Sequence, residues 1–170
     1  MTDLDTVQEN HREETAPLRV LQLRAGLARG DLLLPYAVIA EVTEASLDSL
    51  VTEEQPLLGR LAWRGVEVPL FGLDRLVGDP PVAWRRRLPV VIVYALAPDD
   101  RLAYYGLALQ GVPRSVRLPQ RSLEDEQAAA QPMLAFEGRL ATDRVVVPDL
   151  DALEARLRAL LDAGAEDARH

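Results

Sequence analysis

Leu18, Val20, Leu21 and Leu23 open an apolar run that closes at Gly26, and a second run extends from Leu32 to Val42, divided by Pro35. This is the pattern of short strands joined by turns, with the proline marking an edge or a bend. Thr43 to Glu54 is polar and acidic and reads as a loop. From Leu57 the apolar positions return, and Val66, Val68 and Leu70 alternate as in a strand with one buried face. Leu73 to Val77 reads as a short helical stretch ended by Gly78. Leu88 to Leu96 is the most β-branched run of the chain, and Leu102 to Val112 answers it across a Pro98-Asp99-Asp100 turn. Residues 119–132 read as a polar connector. Leu153, Leu157, Leu160 and Leu161 fall at helical spacing and predict a C-terminal amphipathic helix ending near Ala163, with Gly164 as its stop.

The order of elements occurs twice. Gly59 to Pro69 reads GRLAWRGVEVP, and Gly138 to Pro148 reads GRLATDRVVVP. Each follows a strand pair and a connector, and each leads into Leu-Asp-X-Leu, at Leu73–Leu76 and Leu150–Leu153. The shared order predicts an internal duplication, with each half folding as a small β-barrel and the two packed together. The expected organisation is a mobile polar tail over 1–16, a domain over 17–163 with repeat elements at 57–76 and 136–153, and a short tail over 164–170. The fold class is all-β with a closing helix.

Composition removes several kinds of chemistry. There are 170 residues, 48% of them apolar, enough for a real core. No cysteine is present, so disulfides, thiolate metal sites and cysteine nucleophiles are excluded. A net charge of -8 disfavours phosphate backbones and anionic membranes as partners. The opening residues show no signal-peptide pattern and no run reaches the length of a membrane helix, so a cytoplasmic protein is expected. His11 and His170 lie outside the strands, and the acidic pairs Asp99-Asp100 and Glu124-Asp125-Glu126 sit in polar segments. No phosphate-binding glycine loop, nucleophile elbow or metal-ligand spacing occurs, so no catalytic residue, metal or cofactor is expected.

Two stretches invite a binding role. Trp84-Arg85-Arg86-Arg87 has the aromatic-arginine composition that holds single-stranded nucleic acid, and a nucleic-acid-binding small barrel is the alternative reading. Arginines that guard an aggregation-prone strand explain it as well, and the acidic balance of 27 against 19 favours them. Arg64-Gly65 fits a tight hairpin turn presenting the arginine outward.

At these residues the chain resembles a known family. Leu58 to Leu70 is similar to the signature of the CheW-like domain, in which a glycine precedes Asn-Leu-Arg-Gly and an apolar strand ending in proline. The resemblance extends from about Leu18 to about Leu157. It implies two five-stranded SH3-like barrels about a pseudo-twofold axis, and a scaffold without catalysis that joins a methyl-accepting chemoreceptor to a CheA-type histidine kinase. Ala62-Trp63 stands where the family has Asn-Leu, and Phe71-Gly72-Leu73 where it commonly has Val-Asp-Leu. Such divergence resembles the accessory adaptors of the chemosensory pili system, which controls type IV pili and twitching motility. By position, the resemblance places receptor contacts at Ile39, Glu41, Arg64, Gly65 and Val112, and kinase contacts at Leu57 and Leu61. Apolar burial would supply affinity there while Glu41 and Arg64 set register.

Overall fold

A computed structural model describes residues 16–47, 55–119 and 123–169. The expected tail over 1–16, His11 and His170 lie almost wholly outside them. In chain order the strands are β1 (Leu18–Leu23), β2 (Asp31–Pro35), β3 (Ile39–Ser46), β4 (Leu57–Trp63), β5 (Val66–Phe71), β6 (Arg87–Tyr94), β7 (Tyr104–Ala108), β8 (Arg114–Leu118), β9 (Glu124–Ala128), β10 (Leu134–Leu140) and β11 (Asp143–Pro148). A 3-10 turn (Tyr36–Val38) follows Pro35, helix α1 (Leu73–Leu76) follows β5, and helix α2 (Leu150–Asp167) closes the chain.

The strands form two sheets, ordered β8-β1-β2-β11-β10-β9 and β3-β6-β7-β5-β4. The orders correspond strand for strand: β8, β1, β2, β11 and β10 match β3, β6, β7, β5 and β4. Two SH3-like barrels about a pseudo-twofold axis result, each sheet carrying one parallel pair, β11 on β2 and β5 on β7. The halves are interchanged, however. The first sheet combines β1 and β2 with strands from the second half, and the second combines β6 and β7 with strands from the first. The expectation that each half closes a barrel of its own is therefore corrected.

The apolar runs explain the exchange. In β6, Leu88, Val90 and Ile92 fill the second barrel, while Val91 and Val93 face a core shared by both barrels. In β2, Leu33 enters the first barrel while Leu32 and Leu34 face the shared core. Strands buried on both faces read as continuous apolar runs, as these do. The shared core also takes Phe71, Tyr105, Leu153 and Leu157, so α2 packs across the junction.

The repeated sequence forms a hairpin in both barrels, but out of step. Trp63 pairs with Val66, whereas the second hairpin closes at Leu140 and Asp143, two residues earlier than the letter-for-letter match requires. Arg64 and Gly65 make the first turn, and Ala141 and Thr142 make the second. A two-residue offset preserves which side chains face inward. Thus Val68 and Val145 are both fully buried, and α1 and α2 begin at the matching Leu73 and Leu150.

Three boundaries also differ. Thr43 to Ser46 continues β3, because Ala45 fills the second barrel. Part of the expected connector is β9, an edge strand whose EDEQA sequence shows no apolar face. Helix α2 passes through Gly164 to Asp167, since glycine weakens a helix interior without ending it. Asp149 caps the start of α2 by accepting from the Ala152 amide at 3.0 Å.

Helix α2 is tied to the loop after β6 by charge. Glu154 is buried and accepts from the Leu96 amide at 2.7 Å. Arg158 donates to Asp99 at 3.1 Å and to the Ala97 carbonyl, and Arg101 pairs with Asp162. Burial, reinforced by the charge of the neighbouring Glu154 carboxylate, raises the pKa of the Tyr105 hydroxyl, which makes no well-formed hydrogen bond among the described residues. Tyr105→Phe should therefore leave the thermal midpoint unchanged or raised, since it removes an unpaired buried hydroxyl and keeps the ring. A loss above about 1 kcal/mol would reveal a partner for that hydroxyl.

Three surface carboxylates are held in their charged form. The Gln22 amide and then Arg114 lower the pKa of Asp143, Arg29 and Gln127 lower that of Glu137, and the Leu102 and Arg101 amides, then Arg158, lower that of Asp99. Groups with a depressed folded pKa stabilise the fold above their unfolded pKa and lose that contribution as pH falls through the folded value. Unfolding midpoints should decline as pH drops below about 4, and Asp143→Asn should flatten the decline. Denaturation followed from pH 6 to 3 checks this; equal slopes for the variant and the parent protein would contradict it.

Candidate partner-binding site

The edge of the first sheet at β8 faces β3 of the second sheet across a groove of about 450 Å³. Leu21, Tyr36, Ile39, Ala40, Val42, Val112, Pro113 and Ser115 line it. Of the predicted receptor residues, Ile39 and Val112 thus share one hollow. Val112 is 85% exposed and Val42 40%, so the lining presents apolar surface to solvent. A bulge in β3 between Ile39 and Glu41 breaks the alternation of side chains. It lets Ile39 join Ala40 and Val42 at the groove while Glu41 serves another contact.

That contact closes the second barrel. Strands β3 and β4 are the two ends of its sheet, and a carboxylate oxygen of Glu41 accepts from Trp63 Nε1 at 2.9 Å and from Arg64 at 2.8 Å. The turn beyond β4 has φ of 47° at Arg64 and 76° at Gly65. Positive φ at both central residues matches the twist of a two-residue hairpin, and Gly65 adopts it without steric cost. The turn aims the guanidinium back over the Trp63 ring, 4.9 Å from its centroid. Arg64 is outward, as expected, but paired.

The aromatic surroundings were not anticipated. Trp63 packs edge-on against Tyr104 at 5.1 Å, and Tyr104 leans on Tyr94 at 5.6 Å. Beside the groove, the Arg19 guanidinium lies 4.7 Å from the centroid of the Tyr36 ring. In a chain only 5% aromatic, the clustering of these rings on short strands was the available signal. Their convergence depends on which strands become neighbours.

The two predicted kinase residues pack against different cores. Leu57 packs against the shared core and Leu61 against the interior of the second barrel, both half-buried on β4. Trp84 is half-buried as well: its ring lies where a Cβ on Gly26 or Gly72 would meet it at 3.2 Å. The ring is a wedge against two glycines, unlike an exposed platform for stacking bases. Among the described residues, no group of three or more His, Asp or Glu side chains could hold a metal ion, and no helix is long and apolar enough to cross a membrane.

Two interchanged SH3-like barrels with an apolar groove along their seam have the surface of a protein-binding module. Residues 10–157 match the CheW-like domain, so the chain belongs to the CheW-like domain family, whose members are scaffold and adaptor proteins of chemotaxis and not enzymes. The match begins within the segment expected to be a tail. Among solved structures, the fold is similar to that of the scaffolding protein TtCheW from Thermoanaerobacter tengcongensis, at 16% identity and a TM-score of 0.61, covering 79% of this chain and 90% of that one. The curated proteins contain no match to this chain.

Proposed function

We propose that this protein couples a chemoreceptor to a CheA-type histidine kinase in a cytoplasmic chemosensory array, with the seam groove as the receptor-docking surface. The observation that carries the reading is the groove shared by Ile39 and Val112, flanked on β3 by the Glu41–Arg64 pair. An exposed apolar trough bordered by a fixed charge pair suits an amphipathic helical hairpin, whose apolar residues fill the trough while polar ones meet Glu41 and Arg64. Gly65 supports the turn that presents the arginine. Leu57 and Leu61, on the β4 edge of the second barrel, are the kinase-facing positions in this reading.

The replacement of the family's Asn-Leu by Ala62-Trp63 supports a divergent member, and we assign its output to type IV pili and twitching motility. Deletion of the gene should then reduce the twitching zone and leave swimming intact; the opposite pattern would redirect the output to flagella. For the docking surface, Ile39→Asp or Val112→Asp should weaken binding to a receptor signalling fragment about tenfold or more, because each puts a charge into an apolar contact. Titration calorimetry against the fragment measures this. Unchanged affinity in both variants would remove the groove from the interface.

A further inference from the structure

A second hollow, of about 500 Å³, opens where the chain leaves β1, enters β6 and leaves β7. Its charge sets it apart. Arg24, Arg85 and Arg87 line it and no carboxylate does, in a protein whose formal charge is -8. Arg87 is neutralised by Glu44 at 2.6 Å, whereas Arg24 and Arg85 make no ion pair among the described residues.

The position of Arg24 follows from the backbone. The Gln110 amide donates to the Arg24 carbonyl at 2.7 Å, fixing the exit of β1 against the exit of β7. The side chain runs beside Gly111, its Cδ and a terminal nitrogen 3.5 and 3.6 Å from where a Cβ on that glycine would be, an ordinary contact distance. Trp84, wedged against Gly26 and Gly72, supplies a fixed aromatic wall, and Leu88 and Leu109 add apolar lining. The hollow therefore joins a cationic rim to a rigid apolar side, within the size range of small-molecule sites.

We propose that this cleft binds a small organic anion, with Arg24 and Arg85 on its phosphate or carboxylate group and its planar or apolar body against Trp84. Planar guanidinium groups pair in bidentate fashion with either oxyanion. Val112 lines this cleft as well as the seam groove, so an occupant abuts the wall of the groove. The site does not depend on what docks in that groove.

The two tryptophans make the test direct. In a Trp63→Phe background, Trp84 is the sole tryptophan, and its selectively excited fluorescence is titrated with AMP as the phosphate probe, phthalate as the carboxylate probe and adenosine as the uncharged control. The indole N–H signals of the protein with both tryptophans report the same event should that background fold poorly. A saturable response to AMP or phthalate is expected, weakened about tenfold by Arg24→Ala or Arg85→Ala and unaffected by Arg60→Ala on β4; which probe binds identifies the oxyanion. No response to either anion, equal binding of adenosine, or indifference to both cleft substitutions would overturn the proposal. A response only to an acidic peptide such as hexaglutamate would assign the cleft to a protein segment and overturn it too.

Discussion

Gly30→Ala is expected to cost about 3 kcal/mol or more of stability, because the new methyl group has no space and the backbone there is unsuited to a side chain. Gly30 has φ of 137°, and a Cβ on it would lie 2.2 Å from the carbonyl oxygen of Arg144. That obstacle is backbone, immediately before Val145, which pairs with Asp31 in the parallel ladder between β2 and β11. Relief requires separating the two strands that connect the halves of the first sheet. Val145, Val146 and Leu32 are fully buried at that place, so separation opens both the barrel interior and the shared core. Gly59→Ala is the control, since a Cβ there meets nothing within 4 Å and its φ is not positive. Urea unfolding of both variants measures the difference. Similar midpoints would mean that β2 and β11 yield more easily than their packing implies.

How much of this was legible follows from what a linear pattern can encode. Strands at Leu18, Leu32, Val66 and Leu88 were readable because burial imposes a period or an unbroken apolar run. The resemblance at Leu58 to Leu70 led to the family, and the Arg64-Gly65 turn was visible because so few residue pairs form such a turn. Strand β9 was invisible, since an exposed edge strand of polar residues carries no hydrophobic signature. The exchange of strands between barrels was invisible too. Period specifies which faces are buried but leaves open whether β1 and β2 pair with β4 and β5 or with β10 and β11. The identical letters of GRLA were misleading at residue level, because the hairpins turn at different points within the repeat.

The same limit applies to the site. Ile39 and Val112 could be named from the resemblance, but their shared groove requires β8 and β3 to border the seam between the sheets. The pairing of Glu41 with Arg64 requires the second sheet to curl until its end strands meet. Closure by side chains at this point makes β3 both a barrel wall and a border of the groove. A partner seated on β3 would consequently contact the element that holds the barrel shut, giving Arg64 a position between fold and interface.

Arg64→Ala separates those two roles and is expected to act mainly on binding. The Arg64 side chain is 69% exposed and that of its partner Glu41 35%, and an ion pair that open to water stabilises a fold by at most about 1 kcal/mol. Trp63 Nε1 retains its bond to Glu41 in the variant, so the barrel stays closed and the thermal midpoint should move little. Binding is a different balance, on the reading that the groove receives a receptor hairpin. An arginine beside a desolvated apolar contact, pre-positioned on a tryptophan ring, has the composition of a hot spot, and its truncation should cost about 2 kcal/mol, roughly a thirtyfold rise in Kd. Arg60→Ala is the comparison, because Arg60 is exposed on β4, the strand leading into the Arg64 turn, and makes no ion pair among the described residues. The sequence repeat would have paired Arg60 with Arg139 as interchangeable controls, but the offset of the hairpins places them at different points. Glu41→Gln completes the set: a glutamine oxygen still accepts from Trp63, so the variant removes charge while keeping the acceptor. If Arg64 meets the partner directly, Glu41→Gln should lower affinity less than Arg64→Ala does. If Arg64 serves only to hold Glu41, affinity will be the same in Arg64→Ala, Arg60→Ala and the parent protein, and the arginine belongs to the barrel alone.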